Sequence, residues 1–495
     1  MEKKSFLTEL LKNIKSNYLR MIILAFLSFL SSVLFSRMLG PNSYGAYTYM
    51  IWLTSTMATL LGLGLGGTIT KFLPMYYLNE QFDESKKILK SLLIIQTLCI
   101  TVISIILIIT FPLWENLLQS INSEETSILV FLSIVNILPV ALLTLLISSV
   151  QALQRYDIFS KVAIKAQIFG FILNIILILI FHKIVYILIV SFIISTYQVI
   201  LYAAFVKKEL KFRVHDLFTE KSAIIDRKRI FNYSKYMYIN VVWQQVVFTR
   251  SEYIFLGIYS GPKEIAVYGL AYGLVNMVGM VFSPVMNVLN NFFSALVAKQ
   301  EINLLETIVV SLTKYFIILL LFLLTYAFAF SKEVINLVYS SQYNDVVLSF
   351  LIMLAGFVLL QGVGVAGSIP FLYEKQKFVV NMGIVAGVIN ILLDIILIPK
   401  WGSLGAAIAN TTTQVISAII GFIYIIKITN FRFSISKLIP SILLSIVFCL
   451  SLIYIQQFKL KLLIIIVYTL VYFSLLYVTK IISKQEINKI ICKFK

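Results

Sequence analysis

Arg250 and Glu252 stand two residues apart inside one apolar stretch, 232–258, and Asp394 stands inside another, 378–398. An ionisable side chain in hydrocarbon costs at least ~2.5–3.5 kcal/mol at the midplane, so each of the three has to face protein or water and find a partner. A guanidinium bonds phosphate through two parallel N–H groups, which makes Arg250 a candidate contact for a diphosphate, with Glu252 beside it in the substrate path. Residues two apart on a helix point about 200° away from each other, so the spacing argues against an Arg250–Glu252 pair. A structural ion pair near one membrane interface is the other reading of both residues. Asp394, like Glu252, is a candidate for binding a coupling cation or proton; its alternative is capping and snorkelling at an interface.

Lys161 and Lys165, one helical turn apart, and Lys314 add three cations near the ends of apolar blocks. They suit an anionic headgroup arriving from one side of a membrane. They equally suit simple anchoring of helix ends by basic residues. Amides inside the blocks, among them Asn174, Gln245, Asn410 and Gln414, offer bonds to sugar hydroxyls or, one at a time, bonds between helices. The run Gly62-Leu63-Gly64-Leu65-Gly66-Gly67 resembles a phosphate loop only superficially. It follows an apolar block instead of a strand and has no Lys-Ser/Thr at the required offset, so it reads as a hinge or a close helix approach.

Long apolar helices have to position these groups. A membrane span needs ~20 apolar residues at 1.5 Å rise, and about fourteen such blocks fill the chain, at 19–38, 46–67, 88–112, 126–150, 160–181, 184–206, 232–258, 265–293, 305–330, 345–370, 378–398, 403–427, 436–456 and 460–482. With 13% charged residues, the chain lacks the polar surface of a soluble fold of this size. The expected fold class is an all-α polytopic membrane protein. The first block ends without a small-residue cleavage pattern, so it is expected to stay as a helix. Ahead of it, Phe6, Leu7, Leu10, Leu11 and Ile14 share a face of residues 2–15, the pattern of an amphipathic helix on a membrane surface.

The formal net charge is +19, yet its distribution excludes nucleic acid as the reason. Lysines and arginines concentrate in alternate loops, and 113–125 carries none while holding Glu115, Glu124 and Glu125. That bias orients the chain with both termini in the cytoplasm and serves contact with anionic membrane lipids. Cys99, Cys449 and Cys492 offer neither a disulfide framework nor metal-ligand spacing, and His182 and His215 stand without companion ligands. No cofactor or metal is expected.

The most hydrophilic stretch, 207–231, falls after the sixth block, and a weak repeat supports a division there. Gly40-Pro41 follows the first block, and Gly261-Pro262 follows the seventh. Gly-Pro suits a tight reversal, since Pro fixes φ and Gly tolerates positive φ; chance similarity of two short turns is the competing explanation. Six helices per half makes the repeat parallel. The expected organisation is an N-terminal lobe at 1–206, a cytoplasmic linker at 207–231, a C-terminal lobe at 232–427, and two further helices with a basic tail at 428–495.

Three segments carry a family resemblance. Arg37-Met38-Leu39-Gly40-Pro41-Asn42-Ser43-Tyr44-Gly45 resembles the signature turn of polysaccharide-transport flippases. Arg250-Ser251-Glu252-Tyr253-Ile254-Phe255-Leu256-Gly257 resembles their seventh-helix pattern, and 390–407, with Asp394, Pro399 and Gly402, resembles their eleventh-to-twelfth helix turn. The chain is thereby identified as similar to Wzx-like polysaccharide transporters of the multidrug/oligosaccharidyl-lipid/polysaccharide exporter superfamily. That resemblance implies a two-lobed transporter of a polyprenyl-diphosphate-linked oligosaccharide in the cytoplasmic membrane, working beside polysaccharide polymerases and glycosyltransferases. Glu252 stands where the family often has Asp, and Asp394 where it often has Asn. A lipid II flippase and a multidrug antiporter share the plan and remain as alternatives. An enzyme acting on polyprenyl-linked sugars would need a large outer domain with acid, base or metal-binding residues, and the outer loops here are about fifteen residues or fewer by these spans.

Overall fold

The computed structural model describes residues 2–110, 126–210, 227–243, 251–433, 438–453 and 457–479, together with 245, 436 and 455. The described residues are helical with short turns. The helices are α1 Glu2–Leu61, α2 Leu65–Tyr77, α3 Phe82–Ile109, α4 Thr126–Ala152, α5 Tyr156–Phe181, α6 Ile184–Glu209, α7 Arg227–Trp243 and α8 Glu252–Tyr259. After them come α9 Pro262–Ala298, α10 Ile302–Tyr339, α11 Val346–Gly364, α12 Ile369–Leu372, α13 Gln376–Thr429, α14 Ile439–Ile453 and α15 Phe458–Val478.

Ten helical segments are long and apolar enough to cross a membrane. Two of the ten join two spans through a single glycine. Gly40 breaks α1 at φ 75° and ψ 172°, and Gly402 breaks α13 at φ 52° and ψ −128°. Only a residue without Cβ takes such conformations cheaply, and Pro41 then starts the next helix with its φ already set. Ahead of Gly40, α1 runs unbroken from Glu2, so no turn separates the segment 2–15 from the first span as a surface helix would require. The glycine run ends α1: Leu63 and Gly64 take positive φ, and α2 then carries the second block on to Tyr77.

Two compact units divide the chain at Met1–Ala266 and Val267–Lys495. In the first, α4 is the central helix; α1, α2, α3 and α6 all pack on it, and Leu143, Leu145, Leu146 and Val150 join Ile69, Phe72 and Leu73 in its core. Both faces of α4 are therefore apolar, as expected for a helix buried all round. Gly64 and Gly67 let α7 approach α2, since a Cβ on Gly64 would lie 2.5 Å from the Tyr238 nitrogen and one on Gly67 2.9 Å from Met237 Sδ. In the second unit α11 takes the central place against α10 and α13.

Helix boundaries recur at one spacing along the chain. Phe82 and Ile302, and Tyr156 and Gln376, begin helices 220 residues apart. The left-handed residues that stop helices follow suit: Glu80 and Gln300, Gln154 and Glu374, and His182 and Gly402 are again 220 apart, and Gly40 and Gly261 are 221 apart. Even the closing bonds match, with Gln81 N to Tyr76 O and Glu301 N to Leu296 O, then Arg155 N to Val150 O and Lys375 N to Pro370 O. These are the reversed bonds of a helix ended by a left-handed residue. These correspondences along the described chain make this an internal duplication.

The last two helices, α14 and α15, pack on α10. Tyr472 donates to the Ile318 carbonyl at 2.7 Å, and Lys461 Nζ meets Glu333 Oε1 at 2.7 Å. The Lys461 side chain is 11% exposed, so removing one partner leaves the other charge poorly solvated. In thermal unfolding of the purified protein, Lys461→Met and Glu333→Gln should each destabilise by about 1–3 kcal/mol. The double variant should lose less than the sum; strict additivity would show that the pair does not couple.

Candidate functional site

A cavity of about 450 Å³ lies inside the first unit, bordered by α1, α5 and α6. The break at Gly40 creates it, because the chain reverses there and α1 contributes residues from both sides of the turn, Ser28 to Phe35 and Tyr44 to Ile51. Small residues, Ala166 and Gly170 on α5, keep the opposite wall from filling the space. Its polar lining is hydroxyl and amide: Ser31 and Ser32 on α1, Gln167 and Asn174 on α5, Ser191 and Gln198 on α6. No charged side chain lines it. Asn136 of α4 donates to Ser191 Oγ at 2.9 Å and fixes that hydroxyl.

Near the Gly40 turn, α8 and the start of α9 pack on the second half of α1. A Cβ on Gly45 would fall 1.7 Å from the Pro262 carbonyl oxygen, and one on Gly257 2.7 Å from the Tyr49 ring. Trp52 stacks on Tyr253 with ring centroids 5.5 Å apart. The helix that follows Gly40-Pro41 thus meets the Gly261-Pro262 turn backbone to backbone at Gly45. Glu252 opens α8 and is 1% exposed; an acidic group in the first turn of a helix lies at the positive end of its dipole.

In the second unit Asp394 is fully buried on α13. Asn390, one turn earlier, donates to its Oδ2 at 3.2 Å. Gln414 donates to Asn410 at 2.6 Å, and the Thr411 hydroxyl donates to the Ile352 carbonyl at 3.2 Å. Snorkelling therefore does not describe Asp394, whose carboxylate is held within the helix packing. By the spacing of the duplication, Asp394 answers to Asn174, 220 residues earlier, and Glu252 answers to Ser31, 221 residues earlier. Both first-half counterparts line the cavity.

Lys161 and Lys165 are exposed and share a stripe of α5 with Ile168, Phe169, Ile172 and Ile176, away from the cavity. Lys314 is half-buried on α10 with its Nζ 4.8 Å from the Tyr315 ring. Arg250 lies outside the described residues. At one end of the first unit, Arg155 gathers two carboxylates, Asp157 at 3.2 Å and Glu209 at 3.6 Å, and Tyr77 donates to Glu209 at 3.0 Å. The hydrogen bond to Asp157 raises the Arg155 pKa, while burial, with Glu209 next, raises that of Tyr77. This cluster ties the ends of α2, α5 and α6 together. Among the described residues no three His, Cys, Asp or Glu side chains come together as a metal site.

The sequence singled out Asn174 but not Gln167, Gln198 or the serines. A serine in a span bonds its own helix, as Ser31 does to the Leu27 carbonyl, and carries no signal of its own. Counting polar residues on a shared helical face, Ser28, Ser31, Ser32 and Phe35 against Gln167, Gly170 and Asn174, was the one signal available.

Comparison with known proteins places this arrangement. A probable low-salt glycan biosynthesis flippase of Haloferax volcanii is 23% identical over 221 residues, which is 44% of this chain and 46% of that protein. An uncharacterized membrane protein of Methanocaldococcus jannaschii is 23% identical over 99% of both chains. Among solved structures, a lipid II flippase in an inward closed conformation superposes with a TM-score of 0.69 at 18% identity, covering 94% of this chain and 99% of that one. An inward-facing multidrug resistance transporter of the MOP superfamily reaches 0.65 at 17% identity, over 84% and 98%. The fold is that of these polytopic transporters. The family model described as polysaccharide biosynthesis protein matches residues 10–296, more than half of the chain, and the protein belongs to that family.

Proposed function

We propose that the protein is a flippase that carries a polyprenyl-diphosphate-linked oligosaccharide across the cytoplasmic membrane for cell-surface polysaccharide synthesis. The observation that carries this reading is the family match joined to a duplicated helical frame in which the helix after the first Gly-Pro turn meets the second turn at Gly45 and Pro262. In this reading the lobes are 1–206 and 232–427, joined by the linker 207–231, both termini are cytoplasmic, and the lobes open alternately to either side. The turn contact closes one side; separating it opens that side. Arg250 contacts the diphosphate, Lys161, Lys165 and Lys314 draw the anionic headgroup to the cytoplasmic face, and Glu252 and Asp394 serve ion coupling. Polymerase and glycosyltransferases are its partners in the pathway.

Reconstitution tests the substrate. In proteoliposomes, a fluorescent polyprenyl-diphosphate oligosaccharide should become accessible to an added lectin on the far side only when the protein is present. Lipid II transported at the same rate would move the assignment to peptidoglycan precursors, and transport of a cationic drug alone would move it to an exporter of small molecules. Arg250→Ala should abolish oligosaccharide transport at normal abundance, and Arg250→Lys should restore it only in part, because a point charge lacks the planar fork. Full activity of Arg250→Ala would remove the diphosphate role.

A further inference from the structure

Gln167, Asn174 and Gln198 line the first-half cavity, and none of the three makes a hydrogen bond with another described residue. The Asn174 Oδ1 atom is buried and unpartnered. The three side chains are half-buried, and amides turned together to one cavity point to a ligand or water that completes them.

We propose that this cavity is a subsite for one neutral sugar unit of the transported glycan; the assignment rests on the flippase reading above. Three features of the wall fit a sugar ring. The amides supply paired donors and acceptors. Ser31 already spends its proton on the Leu27 carbonyl at 2.9 Å and so offers an acceptor, whereas Ser191, accepting from Asn136 at 2.9 Å, has its proton to donate. Phe35, Tyr44, Tyr47 and Phe171 add flat apolar faces for the C–H side of a sugar ring. A volume of about 450 Å³ is at the small end of ligand pockets, which run to about 1,000 Å³. It suits a short piece of a glycan and not a whole repeat unit.

The duplication sharpens the point. At the positions of Ser31 and Asn174 the second half carries Glu252 and Asp394. The first-half cavity therefore has hydroxyl and amide where its repeat has carboxylates, which removes what a bare cation or an amine drug would bind and keeps what a polyol binds.

The test uses the full chain in lipid nanodiscs with neutral methyl glycosides bearing a diazirine. Illumination followed by mass spectrometry should place adducts within 28–51 and 166–198. Unlabelled methyl glycosides should compete, and inorganic phosphate at equal concentration should not. Asn174→Leu and Gln198→Leu, each verified to melt like the parent, should lower the labelling at least tenfold. No adduct in these segments, adducts competed by phosphate, or labelling unchanged in both variants would each overturn the subsite and leave water as the occupant. Normal oligosaccharide transport without cavity labelling sinks the subsite and spares the flippase. Cavity labelling without oligosaccharide transport does the reverse.

Discussion

Gly45→Ala should cripple transport while leaving the protein in the membrane. The added methyl would start 1.7 Å from the Pro262 carbonyl oxygen, and a backbone oxygen cannot rotate aside as a side chain can. Gly45 and the Pro262 backbone have to part by more than an ångström, so the state that holds them together is penalised. Overpacking of this kind costs about 1–3 kcal/mol, which is roughly a 5- to 150-fold shift in a two-state equilibrium. Two measurements check it. A cysteine at Asn42, in a chain with Cys99, Cys449 and Cys492 replaced, should react faster with an impermeant maleimide when Gly45→Ala is present. Oligosaccharide transport should fall by at least tenfold if the closed state is an obligatory stage of the cycle. An unchanged labelling rate would mean that the contact yields locally, and unchanged transport would mean that closure at this turn is not a step in the mechanism.

Asp394→Asn is expected to remove ion dependence. Asp394 is wholly buried and accepts a hydrogen bond from Asn390 at 3.2 Å, and the replacement keeps the shape while deleting the charge. If this carboxylate takes up a cation or proton during the cycle, an imposed ion gradient should accelerate the parent protein and have no effect on the variant. The basal rate should drop by at least tenfold, because a buried site without its charge loses about 2–4 kcal/mol of stabilisation for a bound cation. Asp394→Leu separates the structural contribution. It removes the acceptor of the Asn390 hydrogen bond and should lower the melting temperature as well, by a penalty of about 1–3 kcal/mol. A gradient response that survives in Asp394→Asn would move coupling elsewhere, with Glu252 next to test by the same substitution to Gln.

Composition and block length sufficed for the all-helical membrane fold, since apolar runs of this length have few alternatives to a helix once water is excluded. The Gly-Pro pairs were also legible, because Gly40 and Gly261 need positive φ and announce it by residue type. Most of the duplication was hidden. Its other markers are Glu80, Gln154, Gln300 and Glu374, ordinary residues that take left-handed conformations because the surrounding packing ends the helix there, and nothing in their chemistry advertises it. The ionisable residues were easy to find and hard to place. Asp394 could be read at an interface or inside, and only helix packing puts it fully inside; Lys161 and Lys165 could be read as site or anchor, and only the rotation of α5 turns them to its exposed stripe.

The sequence by itself determined that the chain crosses a membrane many times, where its glycine turns fall and which charged groups cost most to bury, because those follow from side-chain transfer energies and local backbone preferences. Tertiary structure alone decided that serines on α1 and amides on α5 and α6 share one neutral cavity, and that Gly45 closes on Pro262. Those are relations between residues more than a hundred positions apart, fixed by how helices rotate and cross, and no local pattern encodes them.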